Sequence, residues 1–388
     1  MKFIKKNHDN TKYIDGVFAV SNAVKADNSP DKINASAGCL LDDNGAIITY
    51  KTVYESEAKI ENNKRASYCE GPQGNKLYNE AIEKFVLEGK VKGKAIATFG
   101  GTGAISLAMN MCLQEGDTVM YPETSWVNYS LMAKELNLNS VTYDIYDIDG
   151  LLSKFEEQER IFVIINSPCE NPTGHSYSYY DWQRIIDKLN SLNKETIILN
   201  DIAYIDYAYD EDKKKYFELF NNINENILVL MAYSCSKTFS YYGQRLGALL
   251  CINNDEEFVE TFMNQCAKHC RCIWSNVNNS AMINIADVIN NHLDEFNAEL
   301  KKNIELVKER ADVFIKECSE CYLHIYPYRE GFFITIKIDD NDYRDKVHKR
   351  LLENHIYCVK VNKGIRVGIC AASKQALSGL ARRMKECK

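Results

Sequence analysis

Short apolar segments alternate with amphipathic helical segments between about residue 76 and residue 290, and this alternation restricts the possible folds more than any other feature. The apolar runs have the length and composition of buried strands, whereas the segments between them repeat apolar residues at helical spacing. Such alternation indicates a mainly parallel α/β sheet, which binds ligands at the carboxyl ends of its strands. The strand-like runs are 118–121, 161–165, 196–199, 227–231 and 246–252, and the helical segments include 75–87, 104–113 and 179–189.

The pattern changes after about residue 291. A charged helix at 293–317 is followed by a strand at 331–338, a helix at 343–354, a strand at 365–369 and a final helix at 374–386. We therefore expect a large domain at 46–292 and a smaller α+β domain formed by 1–45 together with 293–388. A chain of 388 residues is long enough for two domains, since a domain has roughly 100–200 residues.

Charge and composition disfavour several classes of partner. The net charge is −7 and no long basic run occurs, so we expect neither nucleic acid nor an anionic membrane surface as a partner. The sequence has no run of 18 apolar residues, which disfavours a membrane span. Residues 1–8 lack the apolar stretch of a secretory signal, and the 14 cysteines form no compact framework. These features predict reduced thiols and a cytoplasmic protein.

Two groups of cysteines have spacings that match neither a complete zinc site nor a disulfide framework. Cys318 and Cys321 form a CxxC pair, and no second pair completes a four-thiolate zinc site. In the segment 266–272, Cys266 and Cys270 share a helix face but Cys272 does not. Because too few ligands converge, the sequence predicts no metal site.

Lys237 and Asp201 each follow a predicted strand. A lysine whose pKa is lowered by its site can form a Schiff base with a carbonyl group. A carboxylate beside a pyridine nitrogen keeps that nitrogen protonated, so that the ring withdraws electrons. Tyr204 could then donate its hydroxyl to a ring oxygen. The alternatives are a solvated surface lysine, an aspartate that caps a turn and a tyrosine that packs in the core.

Three further features are typical of anion binding. The glycines at 100–103 enter a helix, whose N-terminal N–H groups can bind phosphate, although the pattern is neither GxGxxG nor a P-loop and could be a plain turn. Arg245 leads into an apolar strand and Arg366 lies inside one, where an unpaired charge is costly. A bound phosphate would neutralise the charge of Arg245, and a substrate carboxylate would neutralise that of Arg366. Salt bridges within the protein are the alternative. Asn171 begins the turn 171–174 and could bind a ring oxygen.

In their order along the chain, these residues resemble the class I aminotransferases of the aspartate and aromatic amino-acid type, which are pyridoxal-phosphate (PLP) enzymes of fold type I. The similarity runs from about residue 32 to the C-terminus. It also includes the segment 33–45, Tyr68, the segment 125–128, and Arg271 with 274–276. The resemblance implies a mainly parallel seven-stranded central sheet in the large domain and a homodimer with shared active sites.

The resemblance also implies a role for each matching residue. Lys237 would hold PLP as a Schiff base and shuttle a proton, assisted by Asp201 and Tyr204 as catalytic residues. Tyr68 would reach the phosphate of the neighbouring subunit, and Arg366 would bind the substrate α-carboxylate. The implied cofactor-binding residues are Gly101, Thr102, Trp126, Asn171, Asp201, Tyr204, Ser234, Ser236, Lys237, Arg245 and Tyr68, and the implied substrate-binding residues are Gly38, Trp126, Asn171, Arg271 and Arg366.

Arg271 and two departures from the family bear on the substrate. An arginine at this place reaches across the dimer in the family to the side-chain carboxylate of the substrate, which favours aspartate; the alternative is an ordinary helix-end arginine. The family's histidines near the ring-nitrogen aspartate are absent, and Tyr129 and Asn166 take their places. The segment 34–38 is smaller and more polar than usual.

The function implied is ping-pong transfer of an amino group from an amino acid, aspartate or possibly an aromatic one, to a 2-oxo acid such as 2-oxoglutarate. A PLP-dependent β-lyase or decarboxylase would share Lys237, Asp201 and Arg366. A non-catalytic protein on the same scaffold is the third alternative, but it would not require Lys237 and Asp201 to be intact.

Overall fold

The computed structural model describes residues 15–388, so the first 14 residues of the predicted small domain lie outside the described part. The first half of this part contains seven helices, the short strand β1 and four strands of one large sheet. Its elements are α1 (Gly16–Ala26), β1 (Ile33–Asn34), α2 (Lys51–Ala58), α3 (Asn62–Ala66), α4 (Lys76–Leu87), β2 (Lys94–Thr98), α5 (Gly100–Cys112), β3 (Thr118–Pro122), α6 (Asn128–Glu135), β4 (Asn139–Tyr143), α7 (Ile148–Glu157) and β5 (Ile161–Asn166).

The second half completes that sheet and then forms a smaller one. Its elements are α8 (Tyr179–Leu192), β6 (Thr196–Asp201), β7 (Ile227–Ser234), α9 (Cys235–Thr238), β8 (Gly247–Ile252), α10 (Glu256–Ile273), α11 (Asn279–Asn291), α12 (Leu293–Glu320), β9 (Phe333–Lys337), α13 (Asn341–Glu353), β10 (Ile356–Tyr357), β11 (Val359–Val361), β12 (Gly364–Gly368), α14 (Lys374–Leu377) and α15 (Leu380–Glu386). Short 3-10 helices lie at Ile205–Tyr207, Lys215–Asn222 and Tyr242–Gln244.

The large sheet has seven strands in the order β2-β8-β7-β6-β5-β3-β4. Strands β4, β3, β5, β6 and β7 run parallel, and β8 is antiparallel to both of its neighbours. Every residue of β5, β6, β7 and β8 is buried, as expected for strands with helices on both faces. The prediction of a mainly parallel seven-stranded sheet is confirmed.

The C-terminal part contains a three-stranded antiparallel sheet in the order β11-β12-β9. The N-terminal segment joins this part, because β1 pairs in parallel with β10. The predicted final helix is wrong in one detail: Gly379, at φ +89°, separates α14 from α15. A left-handed backbone at a glycine ends one helix before the next begins. The proposed division at residues 45/46 and 292/293 stays a prediction.

Candidate active site

The carboxyl ends of three parallel strands meet at one edge of the large sheet. Asn166, Asp201 and Ser234 are the last residues of β5, β6 and β7, and Asn166 lies opposite Asp201 in the register. A cavity of about 160 Å³ opens here. Its lining comprises Gly101, Thr102, Ile105, Trp126, Asn166, Asn171, Asp201, Ala203, Tyr204, Ser234, Ser236, Lys237, Tyr242 and Arg245.

Lys237 lies on the short helix α9, which begins directly after β7. Its amine donates a hydrogen bond to the carbonyl oxygen of Gly38 at 2.7 Å. The amine also lies 5.3 Å from the ring centre of Tyr204 and 5.1 Å from that of Tyr242. Burial lowers the pKa of the Lys237 amine, because removal from water penalises the charged form. The site therefore favours a nucleophilic, neutral amine.

Asp201 is buried and held by three neighbours. The Tyr129 hydroxyl donates to its Oδ2 at 2.5 Å, and the backbone N–H of Ala203 donates to its Oδ1 at 3.0 Å. The Asn166 amide donates to the backbone oxygen of Asp201 at 2.8 Å. Burial raises the pKa of Asp201, while the bond from Tyr129 opposes that rise. Tyr129 and Asn166, which the resemblance places where the family has histidines, thus contact Asp201 directly.

Arg366 lies inside β12, in the smaller sheet, and bonds to Asn171, which lines the cavity. Its Nη1 donates to Oδ1 of Asn171 at 3.0 Å, and its Nη2 donates to the backbone oxygen of Ser36 at 2.9 Å. The guanidinium carbon lies 4.2 Å from the ring centre of Phe333. Its Nε is buried and has no hydrogen-bond partner among residues 15–388. No acidic side chain pairs with this buried cation in the described chain, which favours the interpretation of Arg366 as an anion-binding residue.

A second anion-binding region surrounds the start of α5. Arg245 donates from Nη1 to the Ser236 hydroxyl at 3.0 Å. Gly100 has a φ of +66°, and a Cβ there would lie 2.6 Å from Arg245 Nη2. A Cβ on Gly101 would lie 3.2 Å from the Cβ of Ser234. The absent side chains let the first N–H groups of α5, a guanidinium and two serine hydroxyls converge, which suits a phosphate.

The two remaining predicted ring contacts are aromatic. Trp126 stands edge-on to Tyr129, with ring centres 5.5 Å apart. Tyr204 lines the cavity and also packs edge-on against Phe332 and Phe333, so it has the core contacts of the alternative interpretation as well.

Four predicted site residues do not line this cavity. Gly38 and Arg366 bond to residues that do, Lys237 and Asn171. Tyr68 is 87% exposed, and Arg271 in the last turn of α10 hydrogen-bonds Ser275. Their segments adjoin, because the Cys69 N–H donates to the Asn276 side chain at 3.0 Å. Both were predicted to act on a neighbouring subunit, and that role stays a prediction.

Sequence reasoning missed two residues. Tyr242 lines the cavity five residues after Lys237, and its hydroxyl accepts the Leu40 N–H at 2.9 Å. Glu170, directly before Asn171, is almost fully buried. A charged residue next to a turn at the end of an apolar strand was the available signal. Among residues 15–388, no three His, Cys, Asp or Glu side chains converge as a metal site, and no helix is long and apolar enough to cross a membrane.

Comparison with known proteins identifies the family. The profile of the family described as "Aminotransferase class I and II" matches residues 30–384. The chain belongs to this family. The predicted resemblance is thereby confirmed, and so is the cofactor class, because enzymes of this family depend on PLP.

Individual relatives agree with this assignment. The "Aspartate aminotransferase, cytoplasmic" of Dictyostelium discoideum is 28% identical over 281 residues, which are 68% of this chain and 63% of that protein, so less than two thirds of that relative is matched. The solved structure of an aminotransferase from Anaerococcus prevotii is 31% identical, with a TM-score of 0.94 over 100% of this chain and 99% of that one. An aromatic-amino-acid aminotransferase from Burkholderia pseudomallei, solved covalently bound to pyridoxal phosphate, shares the fold at 20% identity and a TM-score of 0.81, over 97% of this chain and 98% of that one.

The cavity fits the cofactor of this family. It offers an amine with a lowered pKa at Lys237, a buried carboxylate at Asp201 and a glycine-lined cradle with Arg245. These three features are the partners that an aldehyde, a pyridine nitrogen and a phosphate require. The residues present therefore match the chemical groups of PLP.

Proposed function

We propose that the protein is a PLP-dependent aminotransferase that moves an amino group between an amino acid and a 2-oxo acid. Aspartate is the expected donor and 2-oxoglutarate the expected acceptor, with aromatic amino acids as a second donor class. The observation that carries the proposal is one cavity lined by Lys237, Asp201 and Asn171, with the unpaired cation Arg366 hydrogen-bonded to Asn171. The protein is further proposed to act as a cytoplasmic homodimer.

When bound, PLP supplies an aldehyde that condenses with amines and a ring that withdraws electrons from the substrate Cα. Ser234, Ser236, Arg245, Gly101 and Thr102 would hold its phosphate. Trp126 would stack on the ring, and Asn171 and Tyr204 would bind the ring oxygen. Each of these residues lines the cavity.

The Lys237 amine is the proposed base that takes the proton from the substrate Cα and delivers it to the carbon of the cofactor's aldehyde group. Its lowered pKa increases the neutral fraction that can accept a proton. The Gly38 carbonyl and the rings of Tyr204 and Tyr242 surround the amine and restrict its position. These contacts orient the base rather than activate it by charge.

Asp201 is proposed to keep the ring nitrogen protonated. For this role its carboxyl must be ionised, which its burial opposes and the hydroxyl of Tyr129 supports. Tyr129 therefore performs a task for which the family commonly uses a histidine.

Arg366 is proposed to bind the substrate α-carboxylate. Asn171 and the Ser36 carbonyl hold two of its nitrogens, so the guanidinium is oriented before the substrate arrives. Orientation of the substrate in this way lowers the entropic cost of bringing its Cα–H bond to Lys237.

Arg271 is proposed to select acidic side chains from across the dimer. The test is a panel of aspartate, glutamate, tyrosine and phenylalanine with 2-oxoglutarate, for wild type and Arg271→Leu. We expect the variant to lose activity with aspartate roughly 10- to 150-fold, because a charged hydrogen bond contributes about 1.5–3 kcal/mol. Tyrosine turnover serves as the internal control and should change little.

The outcomes of this panel separate the alternatives. Unchanged aspartate turnover in Arg271→Leu would contradict the dicarboxylate assignment. Release of pyruvate and ammonia from cysteine-type substrates without any oxo acid would support a β-lyase instead. Failure of the protein to bind PLP would support a non-catalytic role.

A further inference from the structure

A buried carboxyl group that the proposed mechanism does not use lies next to the active site. Glu170 follows β5 and is 1% exposed. Its Oε2 accepts hydrogen bonds from the backbone N–H and the hydroxyl of Thr173, at 2.8 and 2.5 Å. Its Oε1 has no hydrogen-bond partner within residues 15–388. An ionised carboxylate in this position would leave one charged oxygen unsatisfied and away from water, which is costly.

Glu170 also closes the turn that carries Asn171. The backbone N–H of Gly174 donates to the backbone oxygen of Glu170 at 2.7 Å, and the backbone N–H of Glu170 donates to the backbone oxygen of His175 at 2.8 Å. Together with the side-chain bonds to Thr173, these contacts fix the backbone on both sides of Asn171. The Asn171 side chain in turn receives Nη1 of Arg366. Glu170 is therefore connected to the cation that is proposed to bind the substrate.

The turn is anchored to the smaller sheet as well. The Thr335 hydroxyl on β9 donates to the Pro172 oxygen at 2.6 Å, and β9 pairs with the strand that carries Arg366. Movement of the turn would therefore be transmitted to Arg366 by two routes, one through Asn171 and one through the β9–β12 pair.

The surroundings of Glu170 determine its protonation. Burial raises the pKa of its carboxyl to about 8, the Thr173 bonds oppose the rise, and the charges of Asp201 and Arg366 act in opposite directions. The phenols of Tyr129, Tyr143, Tyr146 and Tyr177 also interact with Glu170 and stay neutral, because burial raises their own pKa values. His175, whose backbone oxygen accepts the Glu170 N–H, has a neutral ring too, because burial lowers its pKa to about 4.

We propose that Glu170 is a positioning residue of the carboxylate site: its neutral form holds the turn that orients Asn171 and Arg366, and its ionisation weakens the binding of a substrate carboxylate. The second effect is electrostatic. A negative Glu170 would interact with Arg366 and compete with the substrate for that cation. The inference rests on the proposed function of Arg366.

The sign of the pH dependence follows from linkage. A bound substrate carboxylate adds negative charge near Glu170 and favours its neutral form. Binding is therefore at full strength below the free-state pKa of about 8 and weakens as the pH rises through it. With one linked proton, affinity falls by at most about tenfold per pH unit above that value.

The first test requires no substrate. Infrared difference spectra of the PLP-loaded wild type and Glu170→Gln should show a protonated-carboxyl stretch below pH 8 that is missing in the variant and disappears from the wild type above that pH. The absence of this band from the wild type at every pH would overturn the inference.

The second test measures binding of succinate, a dicarboxylate that cannot react, to the same PLP-loaded proteins by calorimetry. We expect wild-type affinity to fall by up to about tenfold per unit above pH 8, and Glu170→Gln to bind as the wild type does below pH 8 without the alkaline fall. Glu170→Met, which loses the bonds to Thr173, should bind more weakly at every pH, and the glutamine variant thus serves as the conservative rescue.

Glu317→Gln is the matched control. Glu317 is a buried glutamate that accepts the N–H groups of Gly379 and Ala381, away from the cavity lining. It should follow the wild-type pH profile. If wild type and Glu170→Gln had identical profiles of succinate affinity against pH, the inference would be overturned. Failure of the wild type to bind succinate at any pH would contradict the proposed carboxylate site itself. In that case the infrared band alone would decide whether Glu170 is protonated.

Discussion

Replacement of Tyr129 by phenylalanine tests how this protein maintains an ionised carboxylate in a buried site. Tyr129 is fully buried, and its hydroxyl donates to Oδ2 of Asp201 at 2.5 Å. The substitution removes that single donor and keeps the ring, including its edge-on contact with Trp126. Its effect should therefore be confined to the electrostatics of Asp201.

The magnitude follows from the type of bond that is lost. A hydrogen bond to a charged group contributes about 1.5–3 kcal/mol. Since 1.36 kcal/mol corresponds to one pKa unit, the pKa of Asp201 should rise by about one to two units. Burial already raises this pKa, and the Tyr129 bond is the largest opposing effect. The ionised fraction of Asp201 at a given acidic pH should fall accordingly.

The assay is the pH dependence of kcat/KM for aspartate, together with the absorbance of the bound cofactor. The proposed role of Asp201 requires its ionised form, which is lost as the pH falls through its pKa. In Tyr129→Phe the acid limb of both pH profiles should shift to higher pH by about one to two units. Where Asp201 becomes largely protonated, kcat/KM should decrease roughly 10- to 150-fold.

Tyr143→Phe is the control for loss of a buried hydroxyl. The Tyr143 hydroxyl donates to the backbone oxygen of Ile164 at 2.7 Å, without a bond to Asp201. This variant should be destabilised by about 1 kcal/mol and keep the wild-type acid limb. If both variants shift the limb equally, or if neither does, the assignment of Tyr129 as the residue that maintains ionised Asp201 is wrong.

Two further predictions concern Lys237, which lines the cavity, and Arg366, which bonds to the lining residue Asn171. Lys237→Ala should abolish the Schiff-base absorbance and most turnover, because no second lysine within residues 15–388 lines the cavity. Spectra and single-turnover assays check this, and a variant that retained both would contradict the role of Lys237. Arg366→Lys should weaken binding of the amino acid by roughly 10- to 150-fold while the cofactor spectrum stays unchanged, because lysine cannot make the paired guanidinium bonds to a carboxylate. Steady-state kinetics with aspartate measure it, and an unchanged KM would exclude Arg366 as the α-carboxylate site.

The fully buried strands were recognisable from sequence, whereas two edge strands were not. Strands β5, β6 and β7 are buried along their whole length, so each appears as a continuous apolar run. At one edge β4 has four of its five residues outside the core, and at the other β2 consists largely of alanine and polar residues. Their strand character depends on pairing with a neighbour, which no local pattern records. The family resemblance, not periodicity, supplied the count of seven.

The sequence by itself determined the chemistry-bearing residues at the strand ends, because each of them follows a buried run or a glycine turn whose pattern is local. The structure decided which of them share a site. Arg366 joins Asn171 across 195 positions of the chain, and Lys237 bonds Gly38 across 199. The raised pKa of Glu170 and the hydrogen bond from Tyr129 to Asp201 likewise exist only after folding. Burial and hydrogen-bond geometry set the pKa of a carboxyl group, and both depend on residues that are distant along the chain.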